Sequence, residues 1–87
     1  STQSGYFRTL VDSLSNFQLS LLRAVFNGET KFGTQEVIMR YKLNTSANVH
    51  RLKEALKKKE IITFDEKDEP HILDPMFKLW LTKYFFV

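Results

Sequence analysis

Cysteine is absent from this 87-residue chain, and histidine occurs only twice. No disulfide can form and no thiolate can hold a metal. That composition suits a reducing cytosol, so a cytoplasmic location is the expectation. Glycine (3) and proline (2) are scarce, which excludes a collagen-like or low-complexity chain. No apolar run approaches the ~20 residues that a bilayer span needs, and no membrane partner is expected. The opening Ser1-Thr2-Gln3-Ser4-Gly5 lacks the basic and apolar regions of a signal peptide. It also lacks a leading Met, as expected of a fragment or a processed chain. No Gly-x-x-x-x-Gly-Lys-Ser/Thr segment occurs, so the chain itself is expected to hold no nucleotide and no other cofactor.

Hydrophobic residues make up 43% of the sequence, enough for one core in a single domain over residues 1–87. A domain this short buries only about 60% of the surface its unfolded chain exposes, so every apolar face has to be used. The net charge of +3 is unevenly spread. Residues 1–60 hold ten Lys/Arg against five Asp/Glu, whereas residues 61–74 hold five acids and one Lys. Such polarity speaks of partners rather than of fold.

Apolar periodicity predicts the elements. Tyr6, Phe7, Leu10, Val11 and Leu14 follow helical spacing, and residues 1–13 read as an N-terminal helix and linker. Ser15-Asn16-Phe17-Gln18 fits a capping box. The helix behind it carries Leu19, Leu22, Val25 and Phe26 on one face and stops near Asn27-Gly28. Thr34 caps a short helix with Val37, Ile38 and Tyr41, and Tyr41 to Asn44 reads as a tight turn. Thr45 or Ser46 caps a longer helix that buries Val49, Leu52 and Leu56. The period then falls to 2. Ile61 to Phe64 and His71 to Leu73 read as two strands around a polar turn, a wing over 61–73. Asp74-Pro75 starts a closing helix over 75–86. Residues 34–58 form a helix-turn-helix, and the hairpin after it makes the fold class a mainly α winged helix-turn-helix.

Residues 14–24 (Leu-Ser-Asn-Phe-Gln-Leu-Ser-Leu-Leu-Arg-Ala) resemble the opening of the C-terminal winged-helix domain in a family of prokaryotic AAA-type P-loop ATPases. Tyr41 to Val49 is similar to that family's turn and third helix. Lys57 to Ile62 is similar to its helix-to-wing junction, and Asp74 to Leu81 to its closing helix. The resemblance covers roughly residues 14–86. It implies a longer parent protein with an ATP-binding domain upstream; a nucleic-acid-binding role for this domain is an inference, and a regulatory one is its alternative.

On the long helix after the turn, Ala47, His50, Arg51, Glu54 and Lys58 point outward. In a helix-turn-helix the outward N-terminal part of this helix enters the major groove. Asn48 favours adenine and Arg51 guanine as base contacts. Arg40, Lys42, Thr45, Ser46, Lys53 and Lys57 are candidates for phosphate contacts, because neutralising phosphates releases counterions. The bland reading of the same residues is a solvated amphipathic face. The Lys57-Lys58-Lys59 run suits the negative pole of a helix end.

Two features favour a different class of partner. The wing tip, Asp65 to Glu69, carries four acids and one Lys, the wrong sign for a phosphate backbone. The closing segment holds five of the twelve aromatics. Phe77, Trp80 and Tyr84 are expected in the core, while Phe85, Phe86 and Val87 leave apolar surface for docking on the ATPase domain or for self-association. An enzymatic site is not expected. His50 and His71 lack nucleophilic or metal-binding companions, Ser15, Thr45 and Ser46 read as caps, and the acids of 65–69 lack calcium-loop spacing.

Overall fold

The computed structural model describes residues 2–87. Helix α1 spans Thr2–Asp12, α2 Asn16–Phe26, α3 Gln35–Arg40 and α4 Ser46–Lys58. Strands β1 (Ile62–Phe64) and β2 (Pro70–Ile72) follow, then α5 (Pro75–Trp80), which runs into one π turn, Leu81–Phe85. This is the helix-turn-helix with a hairpin behind it that the periodicity predicts. Several boundaries differ: the strands are Ile62–Phe64 and Pro70–Ile72 rather than 61–64 and 71–73. The first helix spans Thr2–Asp12, so Leu14 of the apolar stripe lies past its end, and the closing helix is α-helical only to Trp80.

Local chemistry sets the helix starts. The Ser15 hydroxyl accepts from the Gln18 amide at 3.1 Å, and the Gln18 side chain accepts from the Ser15 amide at 2.9 Å. That reciprocal pair satisfies two amides that the first turn leaves open. Thr34 and Thr45 cap α3 and α4 through the amides of Val37 and Asn48. Asp74 accepts from Met76, with Pro75 at the first helical position.

Three helices end alike. After α2, Gly28 takes φ +83°, and its amide and that of Glu29 donate to Val25 and Ala24. After α3, Lys42 takes φ +56°, and the amides of Lys42 and Leu43 donate to Met39 and Ile38. After α4, Glu60 takes φ +59°, and the amides of Glu60 and Ile61 donate to Lys57 and Leu56. Each is a left-handed turn-out that occupies two of the helix's last free carbonyls. In the second and third, the residue delivered next, Leu43 or Ile61, is buried beside its partner Ile38 or Leu56.

The core runs through all the helices and the hairpin. It holds Phe7, Val11 and Leu14 from the N-terminal arm; Leu21, Leu22, Ala24 and Val25 from α2; and Val49, Leu52 and Leu56 from α4, as the spacing of α4 requires. Phe32, Leu43, Ile61, Ile62, Phe77, Trp80 and Leu81 close it. The face of α2 is rotated from the expected one: Leu21 and Ala24 are fully buried, and Leu19 and Phe26 only partly. Tyr6 is exposed. The Trp80 indole N–H donates to the Ser4 hydroxyl at 2.9 Å, tying α5 to α1.

The two strands pair antiparallel, Ile62 with Ile72, Thr63 with His71 and Phe64 with Pro70. The Leu73 amide extends the ladder by donating to Ile61. Leu73 itself is exposed, and Pro70 supplies the buried position at the other end of β2.

The C-terminus departs most from expectation. In the π turn the Phe86 amide donates to Leu81, five residues back, at 2.8 Å. The extra residue per turn rotates the apolar stripe by one position. Tyr84, expected in the core, is 62% exposed, and Phe85 and Phe86 are half-buried instead. Phe85 stacks with Trp80, and Phe86 packs against Phe26 with ring centroids 5.1 Å apart. Of the three residues expected to form an apolar docking tail, only Val87 stands free.

Candidate nucleic-acid interface

The outward face of α4 is built as its spacing implies. With Val49, Leu52 and Leu56 turned into the core, Ala47, His50, Arg51, Glu54 and Lys58 are exposed. Ser46, at the first helical position, is exposed as well. Among the described residues Arg51 and Lys42 make no ion pair. Lys42 is the left-handed residue of the turn and stands exposed at the corner where α3 gives way to α4.

The other candidates are held by the protein's own groups. Asn48 is half-buried, and its Nδ2 donates to the Leu43 carbonyl at 2.8 Å. Its amide therefore closes the turn rather than facing outward as an adenine contact requires. Thr45 serves the Asn48 amide as N-cap. Arg40 forks between two carboxylates, Glu29 at 2.8 Å and Glu36 at 2.6 Å. The same Glu29 oxygen accepts from the Tyr41 hydroxyl at 2.9 Å, which in turn accepts from Asn27 Nδ2 at 3.1 Å. These bonds lock the α2–α3 loop to the end of α3. The Tyr41 hydroxyl and the Arg40 guanidinium hold the Glu29 carboxyl below its ordinary range, and burial pushes the Tyr41 phenol up.

Lys53 and Lys57 lie against the wing. The Lys53 ammonium stands 5.4 Å from the centroid of Phe64 and 5.8 Å from that of Phe32, and the Lys57 ammonium 5.6 Å from Phe64. Both cations therefore attract the electron-rich faces of aromatic rings. They tie α4 to β1 in addition to any charge they present.

Asp65 organises the wing tip. One carboxylate oxygen accepts from the amides of Lys67 and Glu69, both at 2.9 Å, and the other lies 2.7 Å from His71 Nε2. The Glu69 amide and the His71 ring, with the Lys67 amide, hold this carboxyl below its ordinary range. Asp68 takes φ +61° and donates its amide to the Asp65 carbonyl, closing the turn. The tip leans toward α4: Asp68, Phe64, His50, Lys53 and Glu54 line one small cleft of about 80 Å³.

Sequence reasoning found the exposed helix face, because that face follows from the position of the core residues. It missed the engagement of Asn48 and Arg40, whose partners at Leu43 and Glu29 depend on how the turn and loop close. Among the described residues no group of three His, Cys, Asp or Glu is placed to hold a metal. No helix among them is long and apolar enough to cross a membrane.

Two crossing helices with a ribbon packed behind the second define a winged-helix domain. The chain belongs to a family described as a probable winged helix domain, whose match spans residues 5–83. No curated protein and no solved structure matches it.

Proposed function

We propose that this domain binds duplex nucleic acid through α4 and acts as a non-catalytic appendage of a longer AAA-type ATPase. The observation that carries the binding reading is Arg51, exposed on the outward face of the helix after the turn and without a carboxylate partner among the described residues. Arg51, with His50 and Ala47 beside it, faces the bases; Ser46 and Lys42 flank it at the phosphates. Arg40 and Asn48 hold the scaffold. Lys53 and Lys57 add positive potential while their ammonium groups rest on aromatic rings. The ATPase attachment rests on the resemblance of residues 14–86, and the cytoplasmic location on the cysteine-free composition.

The test is fluorescence anisotropy with a labelled duplex at two salt concentrations. Affinity is expected to fall as salt rises, because phosphate contacts release counterions. Replacing Arg51 with Ala is expected to cost about 1–3 kcal/mol if it reads a base. Binding that ignores both salt and Arg51 would remove the proposal.

A second reading, docking on the ATPase domain of the parent chain, draws support from α5. Met76, Leu79 and Tyr84 are exposed along a cleft of about 360 Å³ that Gln3 and Ser4 of α1 also line. Under this reading, Leu79→Asp leaves the fold intact and separates the domain from the ATPase part in co-purification.

A further inference from the structure

Two arginines on the first two helices differ from Arg40 in a telling way. Arg8 on α1 and Arg23 on α2 are both exposed, and among the described residues neither meets a carboxylate. Each has its guanidinium over a ring at the aromatic end of the molecule. The Arg8 guanidinium carbon stands 5.2 Å from the centroid of Trp80 and 5.6 Å from that of Phe85. The Arg23 guanidinium carbon stands 4.8 Å from the centroid of Phe86. Phe85 and Phe86 touch edge to face, with centroids 5.0 Å apart, so one ring pair joins the two cations. Contact with the rings restrains both guanidiniums, and a guanidinium over a ring keeps N–H groups for an acceptor. Oriented guanidiniums lose less freedom on meeting carboxylates than free ones.

The same chain carries an acidic counterpart that is also unmatched. Glu66, Asp68 and Glu69 make no ion pair among the described residues. They sit on a turn already closed by the bonds to Asp65, from the amides of Lys67, Asp68 and Glu69. A rigid loop with projecting carboxylates needs little ordering to dock. A nucleic-acid strand fits the arginine site less well. Bases need open ring faces for stacking, whereas Phe85 and Phe86 are half-buried and their faces are covered by the guanidiniums.

We propose that Arg8 and Arg23 form a site for the acidic wing tip of a second copy of this chain. A two-fold pair places each wing on the other copy's arginines, so both contacts form together. The contact is electrostatic and therefore salt-sensitive. It uses neither Arg51 nor Lys42, so it does not rest on the nucleic-acid reading and fails or stands separately from it.

The experiment is sedimentation velocity over a concentration series of the 87-residue chain, at about 0.05 and 0.3 M salt. Self-association is expected at low salt and a weakening of about tenfold at high salt. The pair Arg8→Glu and Arg23→Glu is expected to leave a monomer, and so is the pair Glu66→Lys and Asp68→Lys. Lysine already occupies a left-handed position in this chain at Lys42, so the second pair keeps the test decisive even if the first perturbs packing. A chain carrying all four changes restores opposite charges across the contact and is expected to associate again. A wild-type chain that stays monomeric at every concentration overturns the proposal, as does association indifferent to either pair. Binding of an oligothymidylate that is lost with Arg8 and Arg23, without self-association, overturns it in favour of a nucleic-acid site.

Discussion

Leu43 is the residue at which fold and candidate interface depend most on a single side chain. It is fully buried although it stands in a tight turn, between two residues of positive φ, Lys42 and Asn44. Its amide donates to Ile38 and its carbonyl accepts from Asn48 Nδ2, so α3, the turn and α4 all meet at one residue. Shortening it to Ala removes a side chain from a site whose backbone is pinned from both sides and cannot collapse inward. Buried Leu→Ala changes of this kind cost about 2.7–5.0 kcal/mol. A domain of this size has roughly 4–13 kcal/mol in total. The variant is therefore expected to lose a large share of its stability, and Tm to drop by about 4–8 °C for each kcal/mol lost. Urea titration followed by circular dichroism measures this, and the slope with urea should stay unchanged if only the native state is affected. Leu79→Ala, at a half-exposed position on α5, serves as control and is expected to change stability by about 0.5 kcal/mol or less. A loss below about 1 kcal/mol for Leu43→Ala would mean that the turn is not pinned as described.

Other outcomes follow from the same geometry. Glu60→Gly is expected to stabilise the domain by about 0.5–1 kcal/mol in thermal melts, because the left-handed position costs a residue with a Cβ more than it costs glycine; a destabilised variant contradicts the strain argument. The Asp65 carboxyl lies below its ordinary range when folded, so between the folded and unfolded values the unfolded chain binds more protons. Its contribution is complete above the ordinary value of 3.8 and lost as pH falls through the folded one, so the melting curves of wild type and Asp65→Asn should converge in acid. Neutralising the wing tip with Glu66→Gln and Asp68→Asn should strengthen duplex binding at low salt and leave it little changed at high salt; weaker binding would show that the tip contacts the duplex favourably.

The parts legible in the sequence are those decided within a few residues. Ser15 with Gln18, Thr34, Thr45 and the Asp74-Pro75 pair mark helix starts because a cap reaches only two or three residues along the chain. The burial of Val49, Leu52 and Leu56, and the exposure of Arg51 opposite them, follow from one period. What the sequence hid depends on closure in three dimensions. A glycine announces the end of α2, but Lys42 and Glu60 take the same left-handed conformation without advertising it. The burial of Leu43 and the engagement of Asn48 follow from that turn. Tyr84 and Phe85 exchange places because one π turn adds a residue to the stripe, and a count at 3.6 per turn cannot register that. Glu29 gives no sign along the chain that it will claim Arg40, eleven residues away.

The repeated turn-out at the ends of α3 and α4 bears on where this chain can change length. In each, the peptide that reverses direction also drops the following side chain into the interior, so adding or removing one residue between Ile38 and Leu43, or between Leu56 and Ile61, would point a leucine or isoleucine at water. The loop from Glu29 to Thr34 is pinned in its own way by buried Phe32 and by the grip on Arg40. Insertions are thereby steered toward the hairpin's tip, where Glu66, Lys67 and Asp68 are exposed and added length dislodges no core residue, and lineages of this domain can be expected to diverge in size there.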